Sequence, residues 1–204
     1  MSQNTSSAVM QQRTEAHDSL DDFPTPPWAT RALLERLKAY GRAFDDKLCR
    51  EPAANRGHMA KPLGEYFGRV IASDIFDYGA GYPVADYLFS EPIETDWTIT
   101  NPPFRLAEQF IEAALKQSHI GVAMIVRTAF LESVGRYNSL FSKFPPSHVL
   151  QFSERVVMHK GKLTAKGSTA TAYCWIVWLV GSSGTKFDWI PPCRKSLERE
   201  GDYA

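Results

Sequence analysis

The sequence predicts an α/β fold in which a mostly parallel sheet is covered by helices on both faces. Three observations carry that expectation. Short β-branched segments alternate with segments of helical periodicity through most of the 204 residues, the pattern of repeated strand–helix–strand units. Residues 121–126 (GVAMIV) are apolar at every position, as a strand covered on both faces must be. Three strands end in polar, Pro- or Gly-containing turns, at Glu51-Pro-Ala-Ala-Asn-Arg-Gly, Ser73-Asp74-Ile75 and Thr100-Asn-Pro-Pro-Phe. In open parallel sheets the ligand sits beyond such carboxyl ends, near the point where strand order reverses.

The elements follow in order. Thr25 is placed to cap a helix with Pro26 in its first position, and Ala32, Leu33, Leu34, Leu37 and Tyr40 continue it to Gly41. A strand at 47–51 leads through a turn into a helix reaching about Phe67. Residues 69–75 (RVIASDI) form a buried strand ending in an acid, and 96–100 (DWTIT) another, stopped by the prolines after it. Leu106, Phe110, Ile111, Ala114 and Leu115 mark a helix over 105–117. After the strand at 121–126 come a helix over 131–144 and strands at 149–152, 155–159 and 172–180. The expected organisation is a disordered lead at 1–21, one domain at 22–181 and a tail at 182–204.

Hydrophobic residues at 44% and charged residues at 23% are ordinary globular values. The net charge of zero speaks against a polybasic coat or a membrane-surface protein. No stretch reaches the roughly 18 apolar residues of a membrane span, and the N-terminus lacks a hydrophobic signal core. Cys49, Cys174 and Cys193 lie far apart, which fits a reducing compartment, and neither they nor the five histidines show metal-ligand spacing. A soluble, cytoplasmic protein without a metal is expected.

The zero conceals an uneven distribution. Residues 1–104 carry 10 basic and 15 acidic side chains, residues 105–180 carry 9 and 4, and the last 24 balance. Lys160, Lys162 and Lys166 lie in HKGKLTAKGST, which reads either as a solvated loop tip or as a phosphate-contacting loop.

Asn101-Pro102-Pro103-Phe104 is the strongest chemical signal in the chain. Two prolines fix the backbone and donate no N–H, so nearby carbonyls remain free to accept, and the Asn side chain adds an amide oxygen. Two acceptors converging on one exocyclic amine would localise its lone pair toward an electrophile, a task for positioning and dipoles rather than for a strong base. Phe104 offers a flat face for a planar base. The plain alternative is a helix-entry turn with Asn as its cap.

With this turn the sequence resembles the S-adenosylmethionine-dependent DNA amino-methyltransferases, the N6-adenine type in particular, and among them the short forms common in phages and prophages. The resemblance covers about residues 22–180. It implies a Rossmann-like class I methyltransferase fold with a mostly parallel seven-stranded sheet and an antiparallel C-terminal strand. It further implies that Asn101 and the Pro102 carbonyl bind the target amine, with Pro103 completing the turn, and that Phe104 stacks on a flipped base.

Other segments resemble the same family. Glu51-Pro52-Ala53-Ala54-Asn55-Arg56-Gly57 is similar to its cofactor loop, with Gly57 at the second glycine and Asn55, a residue tolerant of positive φ, at the first. Asp74, next to Ile75, is placed to accept the ribose hydroxyls, although a helix cap would read the same way. Asp86 resembles the adenine-contacting acid, with Asp77 as a rival and Tyr87 or Leu88 packing on the ring. Phe23, Thr25 and Pro26 match the N-terminal motif that lines the methionine end.

No separate recognition domain is evident. The candidates for substrate contact are Arg127, Arg155, Lys160, Lys162 and Lys166 beside Phe104. Pro192-Cys193 lies in the polar tail and reads as incidental, so a cysteine nucleophile is not expected. The resemblance implies methyl transfer from S-adenosylmethionine to adenine N6 of double-stranded DNA, in a bacterial or phage-infected cell. Three alternatives stay open: cytosine N4, an RNA base or a protein glutamine as acceptor. An inactive methyltransferase-like nucleic-acid-binding protein is the non-enzymatic one.

Overall fold

The computed structural model describes residues 20–204, so nearly all of the expected lead lies outside the described residues. Seven strands form one sheet: β1 (Leu48–Glu51), β2 (Arg69–Ala72), β3 (Thr95–Thr100), β4 (Ser118–Arg127), β5 (His148–Phe152), β6 (Tyr173–Leu179) and β7 (Lys186–Ile190). Their order is β2-β1-β3-β4-β6-β5-β7. β6 runs antiparallel to β4 and β5, whereas every other neighbouring pair is parallel. Strand order reverses between β1 and β3, and there the turns after β1, β2 and β3 meet at one edge of the sheet.

The alternation of side chains along the central strands explains the two-sided core. On β4, Ala123 and Ile125 face one layer while Val122, Met124 and Val126 face the other; on β6, Trp175 and Val177 alternate with Cys174 and Ile176 in the same way. Helix α1 (Pro27–Ala39) covers the first face through Trp28, Leu33, Leu34 and Leu37, with α2 (Ala60–Leu63) beside it. Helix α3 (Ala107–Gln117) covers the other through Ile111 and Ala114, joined by Leu140 from a π-turn over Tyr137–Phe141. The Trp175 indole, fully buried, donates to the Ala29 carbonyl of α1 at 3.0 Å, which ties helix to sheet without leaving a polar atom orphaned.

Several expectations are corrected. Pro26 occupies the cap of α1 and Pro27 its first turn, so Thr25 caps nothing; its buried Oγ1 has no partner among the described residues. Residues 155–158 are not a strand. Val156, Val157 and Met158 are all buried, so the apolar run does pack inward, but the sheet position beside β5 is taken by Lys186–Ile190. The antiparallel strand is therefore sixth in the chain rather than last. The segment 131–144 is broken into a 3-10 turn (Thr128–Leu131), α4 (Val134–Arg136) and the π-turn instead of one helix.

Beyond β7 the chain adds α5 (Arg194–Leu197). Arg31 of α1, itself buried, makes paired hydrogen bonds to Glu65 and to Asp202 and donates to the Leu197 carbonyl at 2.8 Å. The segment 182–204 is thus fastened to α1 and to the sheet edge. No helix among the described residues is long and apolar enough to cross a membrane.

Candidate functional site

A cavity of about 560 Å³ opens at the carboxyl edge of the sheet, where β1 and β3 diverge. Its walls come from four segments. Phe23 and Thr25 enter from the chain before α1; Pro52, Ala53 and Asn55 from the turn after β1; Asp74 and Ile75 from the end of β2; and Asn101 and Pro103 from the turn after β3. Asp86 and Tyr87 close a further side. Pro26, Glu51, Gly57, Pro102 and Phe104 are not in the lining but stand directly behind it in sequence.

The loop after β1 turns because its backbone can. Asn55 has φ 51°, the one positive value outside glycine among the described residues, and Gly57 has φ 85°. The asparagine does in backbone terms what glycine does. Gly57 is also sterically fixed, since an added Cβ would fall on the Tyr82 hydroxyl. Asp74 holds the loop from the next strand: its Oδ2 accepts the Asn55 amide at 2.8 Å and its Oδ1 the Phe76 amide at 3.0 Å. Burial raises its carboxyl above the ordinary range, against the lowering effect of those bonds.

Glu51 ends β1 with no exposure to solvent. Its Oε1 accepts from the Thr100 hydroxyl and from the Ala53 amide, and its Oε2 has no partner among the described residues. Burial pushes this carboxyl up to about 8, so near pH 7 it is mostly the neutral acid. Asp86 accepts the Leu88 amide at 2.9 Å. Tyr87 is held between the Arg50 guanidinium, 4.6 Å from its ring centre, and the Phe110 ring at 5.0 Å. It acts as a rigid wall.

At the turn after β3, Asn101 donates its Nδ2 hydrogen to the Phe23 carbonyl at 2.9 Å. This orients the amide and leaves Oδ1 as an acceptor. The Phe104 amide donates to Asp21 Oδ2 at 2.8 Å. The Phe104 ring meets Phe23 at 5.1 Å and carries the Arg127 guanidinium 4.0 Å from its centre, so Arg127, at the end of β4, covers one of its faces.

Arg105 lines the cavity, whereas Arg127, Arg155, Lys160, Lys162 and Lys166 do not. Arg155 donates to the Ala170 carbonyl at 3.2 Å and is exposed, as are Lys160, Lys162 and Lys166. They sit on an irregular segment that touches the site at two points. The Gly161 amide donates to the Asp22 carbonyl at 2.7 Å, and Met158 Sδ lies 3.9 Å from Asn101 Nδ2.

The lining also includes Asp21, His58, Tyr78, Gln109 and Phe110, which sequence reasoning missed. Only Asp21 left a signal, the pair of acids directly before Phe23-Pro24. Among the described residues no group of three or more His, Cys, Asp or Glu side chains is arranged to hold a metal ion.

The same architecture occurs in solved structures. A Listeria monocytogenes protein assigned to the class I S-adenosylmethionine-dependent methyltransferases superposes with a TM-score of 0.64 over 92% of this chain and 71% of its own, at 9% identity. The fold is that of a class I methyltransferase. A Pyrococcus horikoshii protein assigned as an RNA methyltransferase matches with a TM-score of 0.61, 18% identity, 85% of this chain and 96% of its own. The methyltransferase subunit of a type I restriction-modification system from Streptococcus thermophilus matches at 0.59 with 13% identity, over 91% of this chain; the chain spans 50% of that subunit. No protein-family model matches the sequence, and no curated protein is significantly similar to it. In this fold's terms the cavity lies at the strand-order reversal, and Asn101-Pro-Pro-Phe at the end of the strand beside it.

Proposed function

We propose that the protein transfers a methyl group from S-adenosylmethionine to the exocyclic N6 amine of adenine in double-stranded DNA, with the base flipped out of the stack. The residues present fit this cofactor. The buried, unpartnered Thr25 hydroxyl stands at the cavity wall, and Asp74 ends β2 where an acid can accept ribose hydroxyls. Asp21, Asp74 and Asp86 outnumber Arg105 in the cavity lining, which suits a ligand with cationic sulfonium and ammonium groups. Ile75 and Tyr78 offer apolar and aromatic faces to an adenine ring. When bound, the cofactor supplies the methyl electrophile and departs as the neutral thioether.

The chain's own residues then hold the acceptor. Asn101 Oδ1 and the Pro102 carbonyl accept the two amine hydrogens and aim the nitrogen lone pair at the methyl carbon. The proton released from the amine passes through the open cavity to solvent. Phe104, with Arg127 against it, offers the stacking surface that offsets the few kcal/mol of base extrusion. Arg155, Lys160, Lys162 and Lys166 contact phosphates.

The observation that carries the reading is the fixed Asn101 amide. With Nδ2 bound to the Phe23 carbonyl, its oxygen is the group left to face an amine. Likeness to a restriction-modification methyltransferase subunit supports DNA as substrate. The test is transfer of label from methyl-tritiated S-adenosylmethionine to unmethylated DNA, with loss expected in Asn101→Ala.

An RNA base is the second reading, supported by the likeness to the Pyrococcus horikoshii protein over nearly all of that chain. Label in RNA but not in DNA would select it.

A further inference from the structure

We infer that Asn55 and Asp22 form a clasp that positions Asn101, and that the asparagine at the loop position where glycine is expected is there for its side chain. The inference rests on the methyl-transfer reading of the site. At φ 51° the backbone of residue 55 would accept glycine at least as readily, so turn geometry does not call for an asparagine.

The side chain, by contrast, is fully engaged. Its Nδ2 donates to Asp22 Oδ1 at 2.8 Å, and its Oδ1 accepts the Arg56 amide at 2.7 Å and the Arg56 guanidinium at 3.1 Å. The same guanidinium bonds both Asp22 oxygens at 3.1 Å. Asp22 is only 9% exposed, whereas the Arg56 side chain is 41% exposed, so the Asn55–Asp22 bond is the better shielded part of the clasp.

What the clasp grips is the irregular strap 21–23, turned by a Phe23 amide to Asp21 carbonyl bond at 3.0 Å, whose backbone and flanking residues reach the catalytic turn. Asp21 Oδ2 takes the Phe104 amide, and the Phe23 carbonyl takes Asn101 Nδ2. The Asp22 carbonyl takes the Gly161 amide of the basic segment. One residue thus fixes the strap against the cofactor loop, and its neighbours transmit that register to both ends of the Asn-Pro-Pro-Phe turn. Without the clasp the Phe23 carbonyl is no longer held opposite Asn101. The amide is then free to rotate and to present its NH2 group, in place of Oδ1, to the acceptor amine. Asn55 and Asp22 are positioning residues in this scheme, acting through Phe23 on Asn101.

The test uses Asn55→Gly, Asp22→Asn and the double variant in the full chain. The substrate-free readout is solvent exchange of the Asn101 side-chain NH2 protons by 15N-resolved NMR, assigned by their loss in Asn101→Ala; kcat for methyl transfer is the second. Each single variant is expected to speed exchange and lower kcat by about tenfold, the worth of one shielded hydrogen bond, and the double variant no more than the larger single. Equal protection of the Asn101 amide in Asn55→Gly and wild type overturns the clasp. Clasp-dependent protection in a protein that methylates neither DNA nor RNA keeps the clasp and overturns the functional reading.

Discussion

At the residue scale, Glu51 couples the site to pH. Its enclosed carboxyl takes up a proton near pH 8 in the folded protein, whereas in the unfolded chain it does so near 4.5. Between those values the folded state binds a proton that the unfolded state has released, so stability falls as pH rises through the window. Glu51→Gln removes that proton uptake while keeping an acceptor for Thr100. We predict that the unliganded variant loses the Glu51 share of the pH dependence, so that its stability in urea unfolding falls less with rising pH over this range than that of wild type. At pH 8 it should be more stable than wild type by something on the order of a few kcal/mol. A variant that keeps the wild-type slope would mean that Glu51 is ionised in the folded protein. The sequence made Glu51 legible as an acid at a strand end, but not its protonation, which comes from its complete burial in the folded sheet edge.

At the element scale, the strands were legible where burial on both faces forces continuous apolar sequence, as in β4 and β6, and where prolines stop a strand, as in β3. Two kinds of element were not. Residues 156–158 are buried one after another without pairing into the sheet, and an apolar run reports burial rather than hydrogen-bonding partners. β7 has the opposite character. Its Phe187 and Trp189 are 53% and 58% exposed, so it carries no core pattern and reads as a polar tail, although its backbone extends the sheet beside β5. The strap at 21–23 escaped for a third reason: it is held by hydrogen bonds to loops and has no period at all. Helix α1 is where the C-terminal segment docks. Arg31, almost enclosed, is paired with Glu65 and Asp202 at 2.8 and 2.7 Å. Arg31→Ala leaves the enclosed Asp202 carboxylate without its ion-pair partner, whereas Glu65 keeps the more exposed Arg199 at 2.8 Å. A loss of about 3 kcal/mol is expected in urea unfolding, against well under 1 kcal/mol for a surface arginine.

At the scale of the whole molecule, the charge asymmetry acquires a place in space. The acidic residues of the first half include those lining the cavity, Asp21, Asp74 and Asp86, whereas Lys160, Lys162 and Lys166 project from the segment that rests on the strap. A neutral protein can thus present an acidic face to a cationic cofactor and a basic one to a polyanion. If the three lysines contact phosphates, affinity for a DNA duplex falls steeply with salt. Replacing all three by alanine then lowers the slope of log K against log salt by roughly three. An unchanged slope would make the segment an ordinary solvated loop. The acceptor atom is read most directly by mass spectrometry of nucleosides from DNA, and in parallel from RNA, incubated with the protein and S-adenosylmethionine. Wild type should give N6-methyldeoxyadenosine and Asn101→Ala none; N4-methyldeoxycytidine, or methylated nucleosides in RNA alone, would contradict adenine N6 in DNA as the acceptor.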